Sequence, residues 1–170
     1  MVILGLDIST TCVGYAFTKD KKILDMGFID IKKQTTPKEK VFKVLDFLNN
    51  NSYIDNVTDI NVEDNLSGFA GGRTSQQVIV KLAKFNAILC FMLEEVFGME
   101  VHNINPMTAR KNVFGKARIK GIKAKELVKM KIEEMYDTKK WGKHTTRGNW
   151  DKRNIDAYDG LVMSLYENKA

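Results

Sequence analysis

The chain has 170 residues, 44% of them hydrophobic and only two of them proline, which suits one globular domain and excludes a disordered or low-complexity protein. Its formal net charge is +6, and residues 100–153 hold 15 of the 27 basic side chains against 6 of the 21 acidic ones, so a polyanionic partner is expected. No apolar run approaches the ~20 residues of a membrane span, the opening lacks a signal-peptide pattern, and Cys12 and Cys90 lack zinc spacing and read as buried thiols of an intracellular protein.

The opening run VILGLDIS is continuously apolar, as for a strand buried on both faces. CVGYAFT and ILDMGFIDI flank the charged turn KDKK and read as a hairpin. Thr36 then caps a helix. Pro37 suits its first position, Glu39 completes a capping box, and Val41, Val44, Leu45 and Leu48 form one apolar stripe. VTDINVED is a further strand, ending at Glu63 and Asp64, and the glycine-rich loop NLSGFAGGRT follows. A long helix over about residues 74–97 carries Val78, Leu82, Phe85, Leu89, Met92 and Val96 in one row and Ile79, Ala83, Cys90, Leu93 and Phe97 in another. One face does not need so much. In a chain this small we expect the sheet on one side of that helix and a second copy of the chain on the other, as a twofold-symmetric dimer.

MEVHNIN reads as a strand, PMTARKNV as a short helix, FGKARIKGIK as a basic loop punctuated by glycine, and AKELVKMKIEEMY as a helix. About 18 polar residues follow, DTKKWGKHTTRGNWDKRN, a length that marks a functional or a disordered loop. NIDAYDGLVMSL is the last helix, with Ile155, Ala157, Leu161, Val162 and Leu165 on a core-facing stripe. No repeat or linker interrupts the chain, so residues 1–170 are expected to form a single domain. The order of elements predicts an α/β layered domain with a mixed sheet, an antiparallel hairpin to one side and parallel strands beyond it.

Four carboxylates stand out by position: Asp7 ends the first strand, Glu63 the fourth, and Asp156 and Asp159 share a face of the last helix. Like charges three residues apart on a helix repel, and beside an apolar stripe they also lose solvation. If the first and fourth strands are parallel neighbours and the last helix crosses their edge, all four converge, with Gly160 permitting close approach. Four converging carboxylates need a compensating cation. Magnesium prefers carboxylate oxygen, and two such ions can serve phosphodiester cleavage.

GLDISTTCVGYAF, NVEDNLSGF and NIDAYDGLVMSL, in that order, resemble the RuvC family of Holliday-junction resolvases over nearly the whole chain. The resemblance implies an RNase H-like fold, a five-stranded mixed sheet of three antiparallel and then two parallel strands flanked by helices. It implies Asp7, Glu63, Asp156 and Asp159 as ligands of two magnesium ions, with manganese as a substitute, and a cytoplasmic homodimer, joined through the helix after Glu63, that cuts branched DNA. By offset from Gly115 it also implies Arg110, with Lys111 beside it, and by offset from Val128 it implies Lys125 as a catalytic lysine, with Lys123 as competitor.

Other candidates for DNA contact are Lys116, Arg118, Lys120 and Lys123 in and after the basic loop, Arg73 before the long helix, and Lys143 and Arg147 in the polar loop, where Trp141 and Trp150 suit base stacking. His144 reads as a DNA contact or a solvated side chain. Where cellular members of the family carry an aromatic three residues after the glutamate this chain has Leu66, with Phe69 three further on; either would be the apolar wedge at the junction centre. The short, divergent chain is most similar to phage or viral members. Alternatives are a broader nuclease of forks, flaps and three-way branches, a junction-binding dimer with weak catalysis, and a phosphate-binding ATPase, whose first phosphate loop GLDISTTCVGY resembles. The sequence identifies no required protein partner and no membrane association.

Overall fold

Alternation along the strands decides which side chains meet which layer. The structure, a computed structural model, describes residues 1–64 and 76–167. Strands β1 (Val2–Ile8), β2 (Cys12–Lys19), β3 (Lys22–Asp30), β4 (Val57–Glu63) and β5 (Val101–Ile104) form one sheet in the order β3-β2-β1-β4-β5. β1 pairs antiparallel with β2 and β2 with β3, whereas β1–β4 and β4–β5 are parallel. This is the expected mixed five-stranded RNase H-like sheet. β1 lies in its middle, which is why its whole length is buried and, Asp7 apart, apolar or glycine. Asp20 and Lys21 both have positive φ, as the tight turn of the β2–β3 hairpin requires.

With period 2, Val2, Leu4, Leu6 and Ile8 of β1 and Val13, Tyr15 and Phe17 of β2 face one core. Helix α1 (Pro37–Asn49) covers it, with the predicted capping box of Thr36 and Glu39 in place, together with α2 (Gln76–Phe97). The alternate residues of the same strands face a second core, built by α3 (Pro106–Phe114), α4 (Ala124–Met135) and α5 (Asn154–Leu165). Helix α5 lies directly on β1 and β2 because small residues lie beneath it. A Cβ on Gly5 would overlap the backbone of Gly160 and Ser164, and one on Gly14 would overlap the Asp156 carbonyl. From the helix side, a Cβ on Gly160 would come within 2.9 Å of the Gly14 backbone. Buried polar groups fix the far end: Asn61 Nδ2 donates to the Met163 and Tyr166 carbonyls, both at 3.0 Å, and Thr18 Oγ1 to the Ser164 carbonyl at 2.9 Å.

Two expectations sharpen. No uninterrupted apolar run reaches membrane-span length, but α2, with 22 residues and an 18-residue window of mean hydropathy 1.3, is long and apolar enough by composition alone to cross a membrane. Its Leu82, Phe85, Leu89 and Leu93 pack on the sheet, while Val80, Ile88, Phe91 and Val96 are exposed, Phe91 by 57%. The polar loop before α5 is ordered by its own hairpin, in which Thr145 N donates to the Asn149 carbonyl and Asp151 N to the Lys143 carbonyl. Trp141 and Trp150 are half-buried against the second core, Trp150 against Tyr158 with ring centroids 6.3 Å apart, so both pin the loop.

Candidate metal centre

Asp7 and Glu63 occupy the last turns of neighbouring parallel strands, and both belong to the alternate set of residues that faces α5. Asp7 is paired in the sheet with Gly14, the residue over which the first turn of α5 passes. That close passage sets Asp156 and Asp159 against Asp7, and one carboxylate oxygen from each of the three lies within 4.8 Å of the others. Glu63 is buried beside them, and its Oε2 has no hydrogen-bond partner. Asp156 stands in the first turn of α5, where the helix dipole favours a negative charge.

So much negative charge out of water raises the carboxyl pKa values. Burial first, then the charges of Glu63, Asp159 and Asp156, hold Asp7 well above the ordinary range. Burial and Asp159 push Glu63 up to about 7, with Arg110 and Lys125 opposing. Burial pushes Asp159 up to about 6 against the pull of the same two cations. Their positions explain the opposition. Arg110 Nη2 lies 3.5 Å from Asp159 Oδ1, with the side chain only 12% exposed, and Lys125 Nζ donates to Asp156 Oδ1 at 2.7 Å. Burial lowers the Lys125 ammonium, but the hydrogen bond and charge of Asp156 outweigh it and leave its pKa raised.

The donor set fits a hard divalent cation: all four candidate ligands offer carboxylate oxygen, which such ions prefer. The unpartnered Glu63 oxygen and the upward-shifted carboxyls are both relieved by a positive charge at that point.

Of the predicted basic residues, the fold brings Arg110 and Lys125 to the carboxylates. Lys123 is the exposed N-cap of α4, and its side chain makes no capping hydrogen bond. Lys111, Lys116, Arg118 and Lys120 are exposed along α3 and the loop after it, Arg118 with its Nη2 against Met107 Sδ at 3.3 Å. His144 and Arg147 are exposed in the hairpin of the polar loop. Lys143 is tied back: its Nζ donates to the Phe28 carbonyl at 3.2 Å and sits 4.6 Å above that ring. Arg153 is engaged by Asp151 and Asp30. Leu66, Phe69 and Arg73 lie outside the described residues. Sequence reasoning missed Gly5 and Gly14. Glycine inside a strand is the signal that marks them, because it often means close backbone approach. Cys12, expected as a buried thiol, is buried, and burial and the neighbouring Asp156 push its thiol up to about 12.

No protein-family model matches this chain, and neither does any curated protein. Among solved structures, RuvC of Thermus thermophilus aligns at a TM-score of 0.60 and 15% identity over 97% of this chain and 92% of that one. The T. thermophilus RuvC structure in complex with Holliday junction substrate aligns at 0.67 and 15% identity over 97% and 91%. The chain therefore has a RuvC-like, RNase H-like fold. A ROK hexokinase from T. thermophilus aligns at 0.43 and 16% identity over 69% of this chain and 39% of that one.

Proposed function

We propose that this chain is a divalent-metal-dependent endodeoxyribonuclease that resolves four-way DNA junctions by paired cleavage, acting as a homodimer. The observation that carries the reading is the meeting of Asp7, Asp156 and Asp159 oxygens within 4.8 Å, beside buried Glu63, on a RuvC-like fold. Asp7, Glu63, Asp156 and Asp159 would hold two magnesium ions, with manganese as a substitute. When bound, such ions activate water and stabilise the leaving oxygen of a phosphodiester.

The chain's own residues do the rest. Arg110, nearly buried against Asp159, fixes that carboxylate and limits the repulsion within the set. Lys125 has a 61% exposed side chain anchored at Asp156, so its ammonium can turn to the scissile phosphate and neutralise charge that develops there. That placement favours Lys125 over Lys123 as the catalytic lysine. Lys111, Lys116, Arg118, Lys120, Lys123 and Arg147 supply backbone contacts along the DNA arms, and Lys143 stiffens the loop that presents Arg147. Leu66 or Phe69 would be the apolar wedge at the junction centre, and Arg73 a further DNA contact. The exposed Val80, Ile88 and Phe91 face of α2 is the dimer surface. The whole chain, 1–170, is one nuclease domain of a phage or viral-type resolvase working in the cytoplasm.

The test is a labelled four-way junction incubated with and without magnesium. Symmetric paired nicks are expected only with the metal, and Asp156→Asn should abolish them while junction binding survives. Normal cleavage by Asp156→Asn would remove the metal-ligand assignment. Faster cutting of flaps or forks than of four-way junctions would replace the resolvase by a broader branched-DNA nuclease.

A further inference from the structure

The half of the chain whose charges nearly cancel contains a concentrated basic site. A cavity of about 370 Å³ is lined by Thr10, Thr11, Lys32, Lys40, Lys81 and Phe85, among others, and no carboxylate is among the lining residues. Thr10 and Thr11 belong to the turn that follows β1, three and four residues beyond Asp7. The cavity therefore lies at the same sheet edge as the carboxylates, but on the face of α1 and α2 and away from α5.

Its walls come from separate parts of the chain. Lys40 of α1 donates to the Thr10 carbonyl and stands 6.0 Å above the Phe85 ring of α2, which fixes its ammonium at the wall. Lys81 of α2 lines the same cavity, and burial and its charge both lower the Lys40 pKa. Thr10 and Thr11, which carry hydroxyl donors, line the same cavity. Three lysines and three threonines share this cavity, whose described lining includes no carboxylate although Glu39 accepts from the lining Thr35 N at 2.8 Å, and that set suits a phosphate, whose charge relieves the repulsion and whose oxygens accept from both kinds of donor.

We infer that this cavity seats a backbone phosphate of the DNA strand that continues past the carboxylates, so the strand is held on both faces of the sheet edge. This rests on the nuclease reading above and deepens it. A strand held only by residues 110–125 can pivot about the carboxylates. A second phosphate seat beyond Asp7 fixes its direction.

The test is the salt dependence of DNA binding by the metal-free protein, measured by fluorescence anisotropy on a four-way junction and on a plain duplex. The comparison is Lys32→Gln/Lys81→Gln against a charge-matched control, Lys22→Gln/Lys43→Gln, whose lysines lie outside the cavity. Losing one phosphate contact flattens the slope of log K against log salt by about 0.9, so the cavity variant should flatten it by about 1 and bind roughly tenfold more weakly at 100 mM salt. An equal effect of the control, or an unchanged slope in the cavity variant, overturns the phosphate seat. If pyrophosphate raises the Tm of the wild type but not of the cavity variant while both keep the same DNA slope, the seat takes a free anion and the strand proposal falls. The two readings fail separately. Junction cleavage with an unchanged slope in the cavity variant leaves the nuclease and removes the seat. A flattened slope on duplex in a protein that never nicks junctions leaves the seat and removes the resolvase.

Discussion

Replacing Glu63 by glutamine should make the metal-free protein more stable while removing its response to metal. Burial and Asp159 push the Glu63 carboxyl up to about 7 from an ordinary 4.5. At pH 8 the folded chain must nevertheless carry that charge, and at 1.36 kcal/mol per pKa unit this costs about 3 kcal/mol relative to the unfolded chain. Glutamine keeps the shape, carries no charge and offers an amide that can donate to the neighbouring carboxylates. Part of the gain is lost because the amide must find partners in a buried place, so a net stabilisation of about 1–3 kcal/mol is expected. For a domain of this size that is a Tm increase of roughly 3–10 °C in EDTA at pH 8. Magnesium should then raise the Tm of the wild type by mass action and leave Glu63→Gln nearly unmoved. Scanning calorimetry of both proteins, with EDTA and with magnesium, gives all four values. A variant less stable than the wild type in EDTA, or an equal magnesium response in both, refutes the claim that Glu63 is a strained carboxylate waiting for a cation.

The same electrostatics predict a pH effect. Asp7, Glu63 and Asp159 all have raised pKa values, so between about pH 4 and pH 7 the folded chain binds more protons than the unfolded chain, and stability falls as pH rises through that window. The metal-free protein should melt higher at pH 5 than at pH 8, and a Tm that climbs across this range in EDTA would contradict the site's charge balance. Gly14→Ala should lose at least about 3 kcal/mol or fail to fold, since its Cβ meets backbone of α5 that cannot give way, whereas Gly142→Ala, whose Cβ would sit 3.6 Å from its nearest neighbour, should change stability by less than about 1 kcal/mol in a urea titration. Ile88→Glu/Phe91→Glu should convert a dimer to a monomer in sedimentation at micromolar concentration, and a wild type already monomeric there would remove the interface assigned to α2.

Much of the architecture is written in local signals. The capping box at Thr36 and Glu39, the apolar run of β1 and the hairpin between β2 and β3 depend on neighbours within a few residues, and such patterns survive in the sequence. The carboxylates were legible for a similar reason. Asp7 and Glu63 stand at strand ends, and Asp156 and Asp159 interrupt an apolar helix where charge has no structural use. Arg110 and Lys125 were legible only through the family resemblance, because nothing in their own surroundings separates them from Lys111 or Lys123. For Trp141 and Trp150, basic neighbours suggested base stacking, and only packing against the second core shows them holding the loop.

The sequence by itself determined the order of elements, the identity of the acidic residues and the basic character of the C-terminal part, all of which follow from periodicity, caps and charge counts along the chain. The tertiary structure decided that β1 and β4 are neighbours, that Gly5, Gly14 and Gly160 let α5 come down on the sheet, and that Lys32, Lys40 and Lys81 share one cavity in a region whose net charge is nearly zero. Those are long-range facts. A net charge sums residues wherever they point, and a glycine does not reveal which backbone will press against it until the chain has folded.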